Sequence, residues 1–449
     1  MSSRCGAKLC SALLLTSALL LADSPARGQA RPLPGSDVQE IYQRLLPQIE
    51  KIQVFDNHGH PGFADDSEVD AMSLPAESSA PLRLRDNNAE MLDVEKALFG
   101  YPYSDFTAEH QRWLLDRKAQ LRKQLGPAYF SHILDRTGIE TAIANRASMP
   151  AYLEPARFRW VFFVDCFLFP FEPAPQQVRN PDLKLNVPLE RKLLARALAQ
   201  GHRDRLPDDL RAYLKFVDEI VEANKSAGGV GIKFEIAYFR SLHFDDPEES
   251  RAAGIYSKYR GGGVPSPAEY TEFQDYVFRH LLRDAARLHL PVQIHTAVGG
   301  GDFFSMQDGN VMNLENILRD PRYDGVTFDL LHGGYPHQSE AIWLAARKNV
   351  FLDSSLMGIF VYPDELHRIL RQWLELFPDK VVFGSDTFPI SEANGAEEGY
   401  WLATQSARTA LAAALAEMVS EREINETQAM EMAHAYLHDT AAKIYMPGK

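Results

Sequence analysis

Apolar positions along this chain fall into short continuous runs, separated by longer stretches whose apolar residues recur every three to four positions. From residue 139 onward the runs are ETAIAN (140–145), RWVFFVD (159–165), GVGIKFEIA (229–237), PVQIHT (291–296), GVTFDLL (325–331), NVFLDSS (349–355) and KVVFGSD (380–386). KIQVFDNH (51–58) precedes them and brings the set to eight. Continuous runs, rather than strict alternation, mark parallel strands covered on both faces. Helical patterns lie between most pairs, as in AEYTEFQDYVFRHLLRDAARLH (268–289) and QSEAIWLAARK (338–348). The pattern predicts an α/β fold, a (β/α)8 TIM barrel. A doubly wound open sheet is the rival, but the chain shows no G-x-G-x-x-G turn between strand and helix.

Two connections are too long for simple loops. Residues 61–138 combine a polar part (about 64–90) with the helical stretch TAEHQRWLLDRKAQLRKQLG, which predicts a helical insertion after the first strand. Residues 166–228 are Pro-rich at first and then helical. The simplest organisation is one catalytic domain over residues 31–449.

The first thirty residues follow a different rule. MSSRCGAKLC is basic, SALLLTSALLLA is apolar, and DSPARGQA ends in small residues, which is the order of a secretory signal with cleavage after Ala30. The apolar run is short against the roughly 20 residues that span a bilayer. Export to the periplasm or the medium is the expectation, with no membrane attachment afterwards. Cys5 and Cys10 would leave with that segment, so Cys166 would remain alone and no intramolecular disulfide could form. Cys166 sits in the apolar run VFFVDCFLF and reads as core. Cleavage would take the formal charge of -14 to about -16. That surface disfavours nucleic acid and anionic membranes as partners and leaves a small-molecule substrate.

In a TIM barrel the chemistry collects where the strands run out into loops. Strand 1 ends in His58 and His60, which share a face at i and i+2. Strand 4 carries Lys233 and Glu235, strand 5 ends at His295, strand 6 at His332, strand 7 offers Asp353 and strand 8 ends at Asp386. Each has a bland reading by itself. A strand histidine is more often a hydrogen-bonded core residue than a ligand, and Asp386 in FGSDTFP could be a turn residue. An inward lysine in an apolar strand needs a partner or a modified form. The joint placement is what points to a metal site: three histidines and a carboxylate suit a divalent cation such as zinc. A metal-free rival from another class pairs Glu235 with Asp353 as the two carboxylates of a glycoside hydrolase. It accounts for none of the histidines.

The segments DNHGHP, IKFEIAYFRSL, IHTAVGGGD, LLHGGYPHQSEAIWLA, NVFLDSS and VVFGSD, with HAYLHDTAAKIY at the end, resemble the metal-dependent amidohydrolase superfamily in its amidohydrolase-related (amidohydrolase 2) branch. The resemblance covers essentially the whole mature chain. It implies that His58, His60 and His295 are metal ligands and that Asp386 is a ligand or the proton-shuttling carboxylate. His332 would be a general acid or base, or a ligand of a second ion. Lys233 would bridge two ions only in a binuclear site, so one or two ions are expected. The implied reaction is hydrolysis of a C–N, ester or lactone bond by a metal-activated water, with non-oxidative decarboxylation as the alternative in the same branch. Arg240, Tyr238 and Tyr335 follow the strand 4 and strand 6 motifs and are candidate substrate contacts. A homodimer is expected from the family.

Overall fold

Eight parallel strands form a single sheet in chain order: β1 (Val54–Asp56), β2 (Ile139–Asn145), β3 (Phe158–Phe163), β4 (Gly229–Phe234), β5 (Val292–His295), β6 (Phe328–Leu331), β7 (Val350–Asp353) and β8 (Val381–Val382). The structure is a computed structural model that describes residues 36–66, 68, 80–391 and 393–447. The expected signal at 1–30, with Cys5 and Cys10, lies outside the described residues. All eight expected strands form, though most are shorter than their apolar runs, several of which continue into the loop that carries the site.

The sheet curls until its ends meet. Past the last β8 residue, Asn57 N donates to Phe383 O (3.0 Å), Asp386 N to His58 O (2.8 Å) and His60 N to Thr387 O (2.7 Å). These bonds stitch the end of β8 to the end of β1 and so bring His58, His60 and Asp386 together. Around the barrel the register sets Phe163 level with Lys233, Lys233 with Gln293, and Gln293 with Asp329.

The helices follow from local signals. Pro267–Leu288 starts with a capping box, Ser266 and Glu269 bonding each other's backbone, and has Pro at its first position. Its buried Tyr270, Phe273, Val277, Phe278, Leu281 and Leu282 recur at helical spacing and face the barrel, where Phe278 meets Phe234 at 4.6 Å between ring centroids. Between β1 and β2 the chain forms Ala89–Phe99, Ala108–Leu125 and Tyr129–Thr137. Asn88 caps the first of these through Glu90 N, and Gly100 ends it in the left-handed region at φ 69°. The stretch read as helical from the sequence is the second of the three.

The barrel floor is closed by the C-terminal helix Thr440–Tyr445, whose Ala441 and Tyr445 pack with Phe55, Ile143, Val161 and Val382 as a small apolar cluster. Cys166 is buried, as expected of a core residue. Among the described residues no helix is long and apolar enough to cross a membrane.

Candidate metal centre

His58 leaves β1 fully buried, and its two ring nitrogens have different surroundings. Nδ1 lies 3.3 Å from Gln293 Oε1, which can only accept, so the proton sits on Nδ1. Nε2 therefore carries a lone pair. It lies 3.0 Å from Asp386 Oδ1 but out of line for a hydrogen bond, and it has no hydrogen-bond partner among the described residues. His60 Nε2 lies 3.5 Å from the same Asp386 oxygen, and its ring stacks on Phe163. One donor atom each from His58, His60 and Asp386 falls within 4.8 Å of the other two, all three residues being buried. A lone pair on His58 Nε2 facing a carboxylate oxygen with no hydrogen-bond partner among the described residues is what a cation would satisfy.

The charge state agrees. Burial, then the Lys233 charge, pushes His58 and His295 well below the usual histidine value, and burial does the same to His332. All three imidazoles are neutral and competent as ligands. Burial alone would raise Asp386, but the imidazoles of His332 and His58 facing it hold its carboxyl well below the usual carboxylate range. An ionised carboxylate among neutral imidazoles is a donor set that calls for a cation. The residues present fit a divalent metal.

The turn carrying Asp386 is held from below. Buried Asp56 accepts from Ser385 N (2.7 Å) and Ser385 Oγ (2.6 Å), and burial raises its carboxyl to about 7. Asp386 takes φ 52° and His332 φ 62°, left-handed values that residues with side chains rarely adopt. In His332 the ring is fixed at both ends: Nδ1 lies 2.9 Å from Ser355 Oγ and Nε2 lies 3.0 Å from His295 Nδ1. His295 Nε2 in turn donates to Val298 O at 3.0 Å. With that end committed to a carbonyl, Nδ1 of His295 accepts from His332 Nε2. His295 thus stands beside the three-residue cluster, and its lone pair is already engaged.

The other sequence candidates are placed less centrally. Lys233 is fully buried, 2.6 Å from Glu235 Oε1 and 3.3 Å from Asn145 Oδ1. Tyr238 packs on the His295 ring at 4.6 Å, and half-buried Tyr335 sits past the β6 turn. Arg240 is committed elsewhere: its guanidinium binds Asp275 (2.6 Å) and the carbonyls of Ser241, Thr271 and His243. Asp353 is fully buried and holds Asn57 Nδ2 at 2.5 Å and Ser355 N, while Glu235 is tied to Lys233. That pair does not face a sugar as two free acids.

Sequence reasoning passed over Gln293, Ser355, Asn57 and Asp329. Their signal was available as polar residues inside apolar strands (Gln293, Asp329) or just past their ends (Asn57, Ser355).

A family model for amidohydrolases matches residues 171–446, more than half of the sequence. The chain belongs to the amidohydrolase family. No curated protein matches it. Solved structures share the fold of this amidohydrolase at low identity. A candidate metal-dependent hydrolase from Lactobacillus casei is 18% identical with a TM-score of 0.58, over 89% of this chain and 97% of its own. Glucuronate isomerase from Caulobacter crescentus is 14% identical with a TM-score of 0.63, over 93% of this chain and 96% of its own. Uronate isomerase from Thermotoga maritima is 11% identical with a TM-score of 0.60, over 92% of this chain and 100% of its own. At such identities the likeness establishes the barrel and leaves the reaction to be argued from the site.

Proposed function

We propose that this amidohydrolase is a metal-dependent hydrolase that cleaves a C–N bond of the amide type, or an ester or lactone bond, in a small molecule. The observation that carries the reading is the convergence of His58 Nε2, His60 and Asp386 in a buried pocket, with the His58 lone pair unclaimed among the described residues. Two imidazoles and a carboxylate match zinc best, with His295 as the further donor once it exchanges its bond to His332. A cation held there supplies Lewis acidity, which polarises a carbonyl and makes water acidic near neutral pH.

The chain's own groups then divide the proton work. Asp386 turns Oδ1 to the two histidines of strand 1 and Oδ2 toward His332 Nδ1, 3.9 Å away. It is placed to accept a proton from the attacking water and pass it to the leaving amine or alcohol. His332 accepts from Ser355 at Nδ1, so its proton is on Nε2, the edge that can donate to a developing oxyanion. Lys233 is read as an ammonium paired with Glu235; it has no lone pair in that state, which favours one ion over two. Tyr238 and Tyr335 are retained as substrate contacts. Export of the mature chain and a homodimer complete the proposal.

The test is elemental analysis of the purified protein beside His58→Ala, followed by a panel of amides, lactones, aromatic carboxylates and uronates. About one equivalent of zinc or a similar cation, lost in the variant, with turnover of an amide or lactone, is expected. No metal after reconstitution would refute the site. Release of carbon dioxide from a carboxylate, without hydrolysis, would replace the hydrolase with the decarboxylase. Aldose–ketose exchange of a uronate would replace it with an isomerase of the kind named among the structural neighbours.

A further inference from the structure

A TIM barrel interior is ordinarily filled by branched apolar side chains. Here the layer beneath the metal cluster is polar: Asn57, Asn145, Lys233, Gln293, Asp329 and Asp353 are each completely buried. Apolar residues of the same volume would stabilise such a layer as well or better, so the polar ones are explained by what they orient.

Gln293 is the hub. Residues i and i+2 on β5 share a face, so Gln293 points into the barrel directly below His295. Its four hydrogen-bonding positions are all used. Nε2 donates to Asn57 O at 2.8 Å and to Tyr445 Oη at 2.8 Å, while Oε1 accepts from Asn145 Nδ2 at 3.0 Å and faces His58 Nδ1 at 3.3 Å. Turning the amide over is opposed twice, by Asn57 O, a carbonyl that accepts only, and by Tyr445 Oη, whose own proton is donated to Asp329. With Oε1 fixed toward His58, the His58 proton is fixed on Nδ1 and the lone pair on Nε2.

The far side of the hub belongs to the last helix. Tyr445 donates its hydroxyl to Asp329 Oδ2 at 2.6 Å, which leaves the phenol oxygen to accept from Gln293. Its ring stacks on Phe55 in the apolar cluster that closes the floor. Every bond along this path runs in one sense, from His58 N–H to Gln293, from Gln293 to Tyr445, and from Tyr445 to Asp329. The C-terminal helix is thereby wired to the first metal-ligand candidate through the barrel axis.

We infer that Gln293 and Tyr445 are positioning residues that fix the His58 tautomer and so present Nε2 to the metal. The statement about the tautomer stands on hydrogen bonds alone; the statement about metal affinity rests on the proposed function. Groups that orient a metal-binding imidazole through its second nitrogen typically change metal affinity roughly 10- to 100-fold when removed.

The experiment uses full-length protein with 15N-labelled histidine, stripped of metal, as wild type, Gln293→Leu and Tyr445→Phe. Long-range 15N–1H spectra read the tautomer, with His58→Ala assigning the signal, and Zn2+ affinity is read by chelator competition. Wild-type His58 is expected protonated on Nδ1 alone. Gln293→Leu is expected to move protons to Nε2 and weaken Zn2+ roughly 10- to 100-fold. Tyr445→Phe, which removes one of the four bonds to Gln293, is expected to mix the tautomers partially and cost less than about tenfold. Tyr445→Phe also decides the matter if Gln293→Leu does not fold. A wild-type signal from the Nε2–H form, or unchanged tautomers in the folded variants, overturns the inference. The expected tautomer shifts in a protein that binds no Zn2+ would uphold the positioning role and overturn the metal proposal instead.

Discussion

Away from the barrel mouth, two buried glutamates share one lysine, and that arrangement makes stability depend on pH in a defined sense. Glu95 lies on the helix Ala89–Phe99 and Glu398 on Ala396–Ser420, both nearly or wholly inaccessible. Lys118 Nζ sits 2.6 Å from Glu398 Oε1, and Glu398 Oε2 accepts from Gly395 N. Neither oxygen of Glu95 meets a donor among the described residues. Burial, and then the neighbouring Glu398 charge, drives Glu95 well above its usual value; burial raises Glu398 from near 4.5 to about 7, although Lys118 opposes it. A carboxyl whose folded value is raised keeps its proton while the unfolded chain loses it, so stability is lost as pH rises from about 4.5 to about 7. Each pH unit over which such a group keeps a proton that the unfolded chain has lost costs about 1.4 kcal/mol. Glu95→Gln supplies a neutral group of the same shape that can donate to Glu398, leaving the Lys118 charge to Glu398 alone. The expected gain is about 1–3 kcal/mol at pH 8, falling to nothing near pH 4.5. With an unfolding entropy of about 2.1 cal/mol/K per residue over 449 residues, that corresponds to about 1–3 °C in Tm. Scanning calorimetry from pH 4.5 to 8 reads it directly. A variant less stable than wild type at pH 8, or a gain that does not fade with acid, would show that Glu95 is ionised and well paired.

Two further outcomes follow from the β6 turn. His332→Gln is expected to keep its metal content and to lose about 10²- to 10⁴-fold in turnover of the best ester or amide in the panel; loss of the metal instead would make His332 a ligand. Gly333→Ala is expected to lower stability by more than about 3 kcal/mol, since Gly333 has φ 52° and an added Cβ would overlap the buried Trp373 ring. An unchanged Tm would refute the packing argument.

The eight strands were legible because each is covered on both faces, so burial alone writes a continuous apolar run into the sequence. The metal candidates were legible for the converse reason, as polar residues that end such runs. What could not be read was which of these residues meet. His58, His60 and Asp386 are brought together by backbone bonds between β8 and β1, a contact across more than three hundred residues that leaves no local pattern. His295 looks equivalent to His58 in the sequence, yet its Nε2 is spent on Val298 O and its Nδ1 on His332. Arg240 looked free on the same grounds and is enclosed by Asp275 and three carbonyls.

Backbone conformation is the other hidden term, and it explains why the site residues point where they do. After each of the last four strands the chain makes a left-handed step on a residue other than glycine: Ala297, His332, Leu356 and Asp386 have φ between 52° and 65°. Each such step costs of order 1–3 kcal/mol and persists only where its surroundings over-determine it. The compensating bonds are visible. Ala297 N donates to Gly309 O, Gly334 N to Thr296 Oγ1, and Asp386 N to His58 O. In two of the four steps the strained residue is itself a site residue, His332 or Asp386, whose side chain is thereby swung inward from the strand end. The same chain end that gives up a relaxed turn gains a carboxylate 3.0 Å from His58 Nε2. Relaxing either step would cost the meeting of His58, His60 and Asp386 or the placement of His332 before it cost the barrel, which is the direction expected if strain here serves the site and not the fold.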